Sequence, residues 1–325
     1  MPIIRPASSW SRSRYAGATL ILCATVACAP AMRRTTSAPP SEAELEQLWS
    51  DPTDLTSRDL YYGPGGKGAG PVITGKLKIK SFDPSGNSVG YNVFDAEGRE
   101  WKVKIGVEAM PEIVASRLLW AIGFHQPAMY LVPNLQLDGG RPEDSGTPAR
   151  LRAEHGYKTE GDWSWHQNPY VGTRELKGLL VAQLILNNWD IKGTQNRIYL
   201  LNEKAAPPRR RYVVQDLGAA LGRTAWPTGT RGSIDDFESQ SLIRRVTNGR
   251  IEFDYHARHN ELFKDITPAD VIWVSRLFAR LSDQQWQDAF RAAGYPESLS
   301  ARFIAKLKAK VREGLALEHS AQASQ

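Results

Sequence analysis

Cysteine is nearly absent: the 325 residues hold two, Cys23 and Cys28, both within the first thirty positions. A chain cut after that stretch would keep no disulfide, no thiol nucleophile and no cysteine-ligated zinc. That suits an oxidising compartment by avoidance rather than by cross-linking. Long apolar runs are scarce as well. AGATLILCATVACA is too short for a stable membrane anchor, and it follows the positive charges of Arg5, Arg12 and Arg14. Residues 1–31 therefore read as a signal peptide, with a small-x-small cleavage site at Ala29-Pro30-Ala31. Cys28 after Thr25-Val26-Ala27 is the alternative, a lipobox with Thr where Leu is preferred. The expected location is secreted or periplasmic, with membrane attachment only through a possible lipid on Cys28.

A strong excess of one charge is also missing. Removing residues 1–31 takes away three arginines and no acid, leaving a net charge of about +3 where the full chain has +6. That is too mild to argue for a nucleic-acid partner. No second apolar run of membrane-spanning length follows. What the chain does have is ten tryptophans and enough length for a sizeable core, so it reads as a packed globule.

Residues 32–60 read as a polar linker with one short helix. Over 61–138, a glycine-rich loop (YYGPGGKGAGP) precedes three strand signals, KLKIKSF, YNVF and EWKVKIG, joined by turns at DPSGNS and DAEG. The segment opened by Pro111, EIVASRLLWAIG, has helical spacing, and YLVPNLQLDG returns to strand. The remainder, 139–325, reads as mainly helical around one hairpin. GTRELKGLLVAQLILNN is an apolar helix. Thr267-Pro268-x-Asp270 and Ser282-x-x-Gln285 carry capping-box signatures, and SLSARFIAKLKAKVREG closes the chain. The fold class expected is α+β, with a small antiparallel sheet lobe bearing one helix and a larger, mainly helical lobe.

The chemistry concentrates in NNWDIKGTQNRIYL, residues 187–200, and VVQDLGAALG. RIYLL and RYVVQ form a hairpin pattern, and simple antiparallel pairing would set Asn196 beside Asp216. An amide oxygen and a carboxylate on strand ends are hard donors suited to Mg²⁺ or Mn²⁺. Asp190 upstream is a candidate base, and Lys192 a cation close to it. Singly, each of these would pass as a turn residue; jointly, their order matters.

That order is a loop Asp, a Lys two residues on, an Asn, a short hairpin and Asp-x-Gly. It resembles the protein-kinase-like superfamily, in its atypical branches of HipA-type and secreted kinases. WDIKGTQN stands where HRDxKxxN is expected, and DLG where DFG is. The resemblance implies that DPSGNSVG covers phosphates, that Lys104 of WKVKIG is the strand lysine and that Glu112 is its helix partner. It also implies ATP as cofactor with the divalent metal, and an acceptor that could be protein, sugar or small molecule. Departures are visible. Asn188 and Trp189 replace the His and Arg, Asn196 falls one residue late, Lys102 shares the strand face of Lys104, and Glu108 could substitute for Glu112. The alternatives are a non-catalytic kinase-like binding protein and a nucleotidyl transferase of the cell envelope.

Other motifs point elsewhere. GNSVG matches a hydrolase nucleophile elbow, but a strand follows Ser88 where a helix is needed. GPGGKGAG lacks the Ser/Thr of a P-loop. His256 and His259, with no acid cluster evident beside them, read as surface polar residues. WSWHQNPY could pack beside the central helix or line a groove, and the arginines at 209–211 read as a solvated hairpin.

Overall fold

The computed structural model describes residues 31–84, 88–193, 196–202 and 209–322. Residues 1–30 of the expected signal peptide, Cys28 among them, half of the DPSGNS turn and the hairpin tip lie outside them. In chain order the elements are β1 (Arg33–Arg34), α1 (Glu42–Leu45), β2 (Leu77–Asp83), β3 (Val89–Phe94), β4 (Glu100–Ile105), α2 (Ala109–Ala121), β5 (Met129–Val132), β6 (Leu137–Asp138), β7 (Ala149–Ala153), β8 (Lys158–Asp162), β9 (Gln167–Asn168) and α3 (Arg174–Ile185). They continue with β10 (Arg197–Asn202), β11 (Arg209–Val213), α4 (Ile234–Glu238), β12 (Ile243–Thr247), β13 (Arg250–Phe253), α5 (Pro268–Ala279), α6 (Asp283–Ala292) and α7 (Glu297–Gln322). The architecture is α+β and two-lobed, in the order expected of a kinase-like chain. No helix among the described residues is long and apolar enough to cross a membrane.

The first lobe is a six-stranded sheet of order β5-β7-β4-β3-β2-β6. Strand β4 shows why its two faces differ. Trp101, Val103 and Ile105 alternate into an apolar cluster with Val93 and Leu151, while Glu100, Lys102 and Lys104 face the other way. Strand β7, absent from the sequence reading, lies between β4 and β5, and all five of its residues are buried. Its register sets Arg150 opposite Lys104 and Arg152 opposite Lys102. Like charges facing each other across a ladder repel, so this face needs an acid above it. Helix α2 lies there and provides one.

The second lobe packs α3, α5, α6 and α7 around a core that includes Leu180, Phe278, Trp286 and Phe303. Both capping boxes expected from the sequence are present, at Thr267/Asp270 and Ser282/Gln285. One hairpin in this lobe was missed: β12 and β13 pair through Asn248-Gly249, whose φ of 51° and 72° suit a two-residue turn.

Two boundaries need correction. Residues 32–60 are not a free polar linker: Leu48, Leu55 and Leu60 are completely buried, and the Trp49 indole donates to Ile122 O at the end of α2. Sparse apolar residues hid this, because the three leucines join the large core shared with distant helices instead of repeating along their own segment. The sheet also runs past 138, since β7 lies within the stretch assigned to the helical part.

Candidate active site

The chain turns from β4 into α2 within three residues, Gly106 to Glu108, and this corner brings Glu112 over Lys104. Lys104 Nζ lies 2.9 Å from Glu112 Oε2, 3.3 Å from Glu108 Oε2 and 2.5 Å from Asp216 Oδ1. Three carboxylates, one at the N-cap of α2, one in its first turn and one from a distant loop, thus converge on one ammonium. Both candidate partners on the helix are engaged. Lys102, on the same strand face, is instead paired with Asp83 at 2.7 Å, which leaves Lys104 as the lysine of the site.

Glu112 has no exposed surface, and it also holds Arg150, whose Nη2 sits 3.1 Å from Oε1. Burial alone would raise the pKa of Glu112, but Arg150, Lys104 and Arg152 overcome it and bring the value down to about 2. For Lys104, burial disfavours the charge, yet Glu112 and Asp216 prevail and hold its pKa above the ordinary lysine value. The ionic state of the cluster is therefore fixed by mutual neutralisation, as buried charges require.

Glu108 links this cluster to further groups. It accepts from Ser88 Oγ at 2.8 Å and pairs with Arg231 at 2.7 Å. Ser88 leads straight into strand β3, so the context of a hydrolase nucleophile is absent. Arg231 in turn lies over the indole of Trp189, 4.7 Å from its centroid, and the Trp189 N–H donates to Thr230 O at 2.9 Å. Arg231 thereby connects the lysine cluster to the residue preceding Asp190. The sequence reading missed it, and missed Arg150. Each gains its role from a partner more than thirty positions away, and neither stands in a local motif.

Asp216 follows β11 in a left-handed conformation, φ 57° and ψ 56°, which Asp adopts more readily than most residues. Behind it Gly218 packs against α2. A Cβ there would come within 2.6 Å of the Cβ of Glu108, so the close approach of Asp-x-Gly to the helix needs glycine. Asn187 and the buried Leu221 are left-handed too, and they lie together: Leu221 N–H donates to Leu186 O, and the Asn187 amide to Gly222 O. Non-glycine residues held in this region around one loop are the kind of stored strain that collects at working sites.

Asp190 and Lys192 form an ion pair of 2.6 Å, with Asp190 largely covered and Lys192 partly exposed. Two residues between Lys192 and Asn196, at 194–195, lie outside the described residues. Asn196 is buried, its backbone carbonyl accepts from Trp163 N–H, and its Nδ2 has no hydrogen-bond partner among the described residues. The hairpin register departs from simple end-to-end pairing. Arg197 pairs with Val213, so Asn196 falls across from Val214 and Asp216 lies two residues beyond. Trp163 holds that register, donating its backbone N–H to Asn196 O and its indole N–H to Val213 O.

The donor set suits a hard divalent cation. Asn196 carries an amide oxygen and Asp216 a carboxylate that Lys104 does not fully enclose, its side chain being 29% exposed, while the unpartnered Nδ2 of Asn196 is a hydrogen-bond donor and not a cation ligand.

No protein-family model matches the chain, and no curated protein matches it. Among solved structures it is similar to a Helicobacter pylori proinflammatory kinase, CtkA. Identity is 11% and the TM-score 0.47, over 78% of this chain and 99% of that one. It is also similar to the Rio2 kinase–ADP/Mg²⁺–phosphoaspartate complex from Chaetomium thermophilum. There identity is 14% and the TM-score 0.30, over 77% of this chain and 72% of that one. Likenesses this loose carry no argument about activity; the residues of the site carry it.

Proposed function

We propose that the chain is an exported kinase-like phosphotransferase that uses ATP and Mg²⁺ or Mn²⁺, in an atypical branch akin to the HipA-type and secreted kinases. One observation supports this above the rest: Lys104, Glu112 and Asp216, from a strand, a helix and an Asp-x-Gly turn, meet at a single ammonium group. Structural ion pairs do not need this order of parts; a phosphate-binding lysine beside a metal-binding carboxylate does.

Lys104 holds the nucleotide's phosphates, and Glu112 fixes the lysine's position. Arg150 keeps Glu112 ionised and in place. Asn196 and Asp216 hold the divalent cation, which when bound neutralises charge on the transferred group. Asp190 orients the acceptor hydroxyl and takes up its proton, and Lys192, already beside that carboxylate, offsets the charge left near it. Arg231 is the further cation available to the transferred phosphoryl group. The acceptor is a hydroxyl-bearing protein, sugar or small molecule, and the protein acts outside the cytoplasm, soluble or tethered through Cys28.

Glu108 supports a second element of the reading. Its carboxylate holds Lys104 and Arg231 together, so it competes with any anion those cations would bind. A phosphate must displace it. Glu108→Gln is therefore expected to bind ATP in Mn²⁺ about tenfold more tightly, or ~1.4 kcal/mol, and to show a larger ligand-induced rise in melting temperature. The proposal is overturned if neither the native chain nor this variant responds to ATP with Mn²⁺. A response of the native chain that the variant lacks would contradict the role given to Glu108.

A further inference from the structure

A second cluster stands apart from the Lys104 site. His166, in the loop between β8 and β9, meets His259 and Glu261, which follow β13. His166 Nε2 lies 2.9 Å from Glu261 Oε1, and His259 Nδ1 lies 3.0 Å from the same oxygen. The three donor atoms are all within 4.8 Å of one another, and the two rings meet edge to face at 5.3 Å. Two imidazoles and a carboxylate are a recurrent ligand set for zinc. With bonds of about 2.0–2.1 Å, a tetrahedral ion spaces such donors at roughly 3.3 Å, close to the two separations from Glu261 Oε1.

Two features set the cluster apart from an incidental hydrogen-bonded group. The ligands come from segments more than ninety positions apart, yet both imidazoles converge on one oxygen while His166 and Glu261 are well covered, at 15% and 16% exposure. His259 occupies a left-handed backbone conformation, φ 66°, and from there its ring meets the carboxylate. Its neighbour His256 does not take part, and pairs instead with Asp254. Surface polar residues, the reading the sequence suggested for the pair, therefore describe His256 and not His259. The missing acid stands two residues after His259, and the second histidine lies in WSWHQNPY.

We propose that His166, His259 and Glu261 form a zinc site, with water completing the coordination on the more open side of His259. The ion clips the loop before β9 to the segment after β13. His166 O already accepts from Arg33 N–H in the β1–β9 pairing, so the clip also secures the N-terminal strap. It lies beside the loop of Asp190, because Tyr255, four residues before His259, donates its hydroxyl to Trp189 O. With water in the fourth position the site is open, unlike a closed set of four protein ligands, and what its three side-chain ligands add is a tie between two segments.

The test is titration of the purified, chelator-treated full chain with Zn²⁺ by calorimetry, and with Co²⁺ by visible absorption. One equivalent per chain is expected, with Co²⁺ giving the intense d–d bands of a tetrahedral site, and zinc raising the melting temperature. His259→Asn is the informative variant. Asn tolerates the left-handed backbone and can still donate to Glu261, but it removes the imidazole ligand. It is expected to keep the melting temperature of the metal-free chain and lose the equivalent of zinc; His166→Ala is expected to lose it too. Asp216→Asn is expected to keep it, which separates this site from the proposed nucleotide site. Absence of saturable Zn²⁺ binding in the native chain, or undiminished binding in His259→Asn and His166→Ala, would overturn the proposal.

Discussion

Replacing Glu112 with Ala is expected to lower the free energy of unfolding by about 3–5 kcal/mol, because it leaves Lys104 and Arg150 facing each other in the interior without the acid between them. Small-domain stabilities are about 5–15 kcal/mol, so a loss on that scale removes a large share. Denaturant unfolding measures it directly. The pH dependence gives a second readout. The folded pKa of Glu112 is about 2, against the ordinary value of 4.5. A depressed acid stabilises the fold above its unfolded pKa, and that contribution fades as pH falls from about 4.5 towards 2. The difference corresponds to roughly 3 kcal/mol at about 1.4 kcal/mol per pH unit. Glu112→Ala should flatten that acid limb. An unchanged limb in the variant would mean that the buried pairings are not what holds the helix over the sheet.

Asp216→Asn carries the other large expected effect, on activity and not on stability. Asn keeps the left-handed backbone and much of the shape but loses the charge that both Lys104 and a divalent cation would use. The loss of phosphoryl transfer is expected to be about a hundredfold to a thousandfold, on the scale seen when one stabilising group is removed from a reacting centre. Metal-dependent ATP binding should weaken with it. The melting temperature should change little, because Lys104 retains Glu112 and Glu108 as partners. Full metal-dependent nucleotide binding by Asp216→Asn would refute the assignment of that carboxylate to the cation.

The two lobes were legible in the sequence wherever structure is locally encoded. Capping residues such as Thr267 and Ser282, and the period-two pattern of EWKVKI, specify their elements within a few positions. Lys104, Glu112 and Asp216 were legible because their order along the chain reflects a topology. What escaped is nonlocal. ARLRA does not look like a buried strand until Glu112 lies above Arg150, and residues 32–60 do not look like core until their scattered leucines meet the helical lobe. The hairpin register is a third case: Trp163, thirty-three residues upstream of Asn196, decides which residue faces it. The β12–β13 hairpin is different in kind, since its Asn248-Gly249 turn is a local signal that was overlooked.

Phosphoryl transfer itself is tested most directly by identifying the products of ATP. The chain is incubated with ATP and Mn²⁺, and the nucleotides are followed by phosphorus NMR, with intact protein mass measured alongside. The roles proposed for Lys104, Asp190 and Asp216 predict ADP, with the γ-phosphate released to water or added to protein, and turnover reduced by about a hundredfold or more in Asp190→Asn and in Asp216→Asn. AMP with pyrophosphate, an added nucleotidyl mass, or ATP that binds and is never consumed would contradict it.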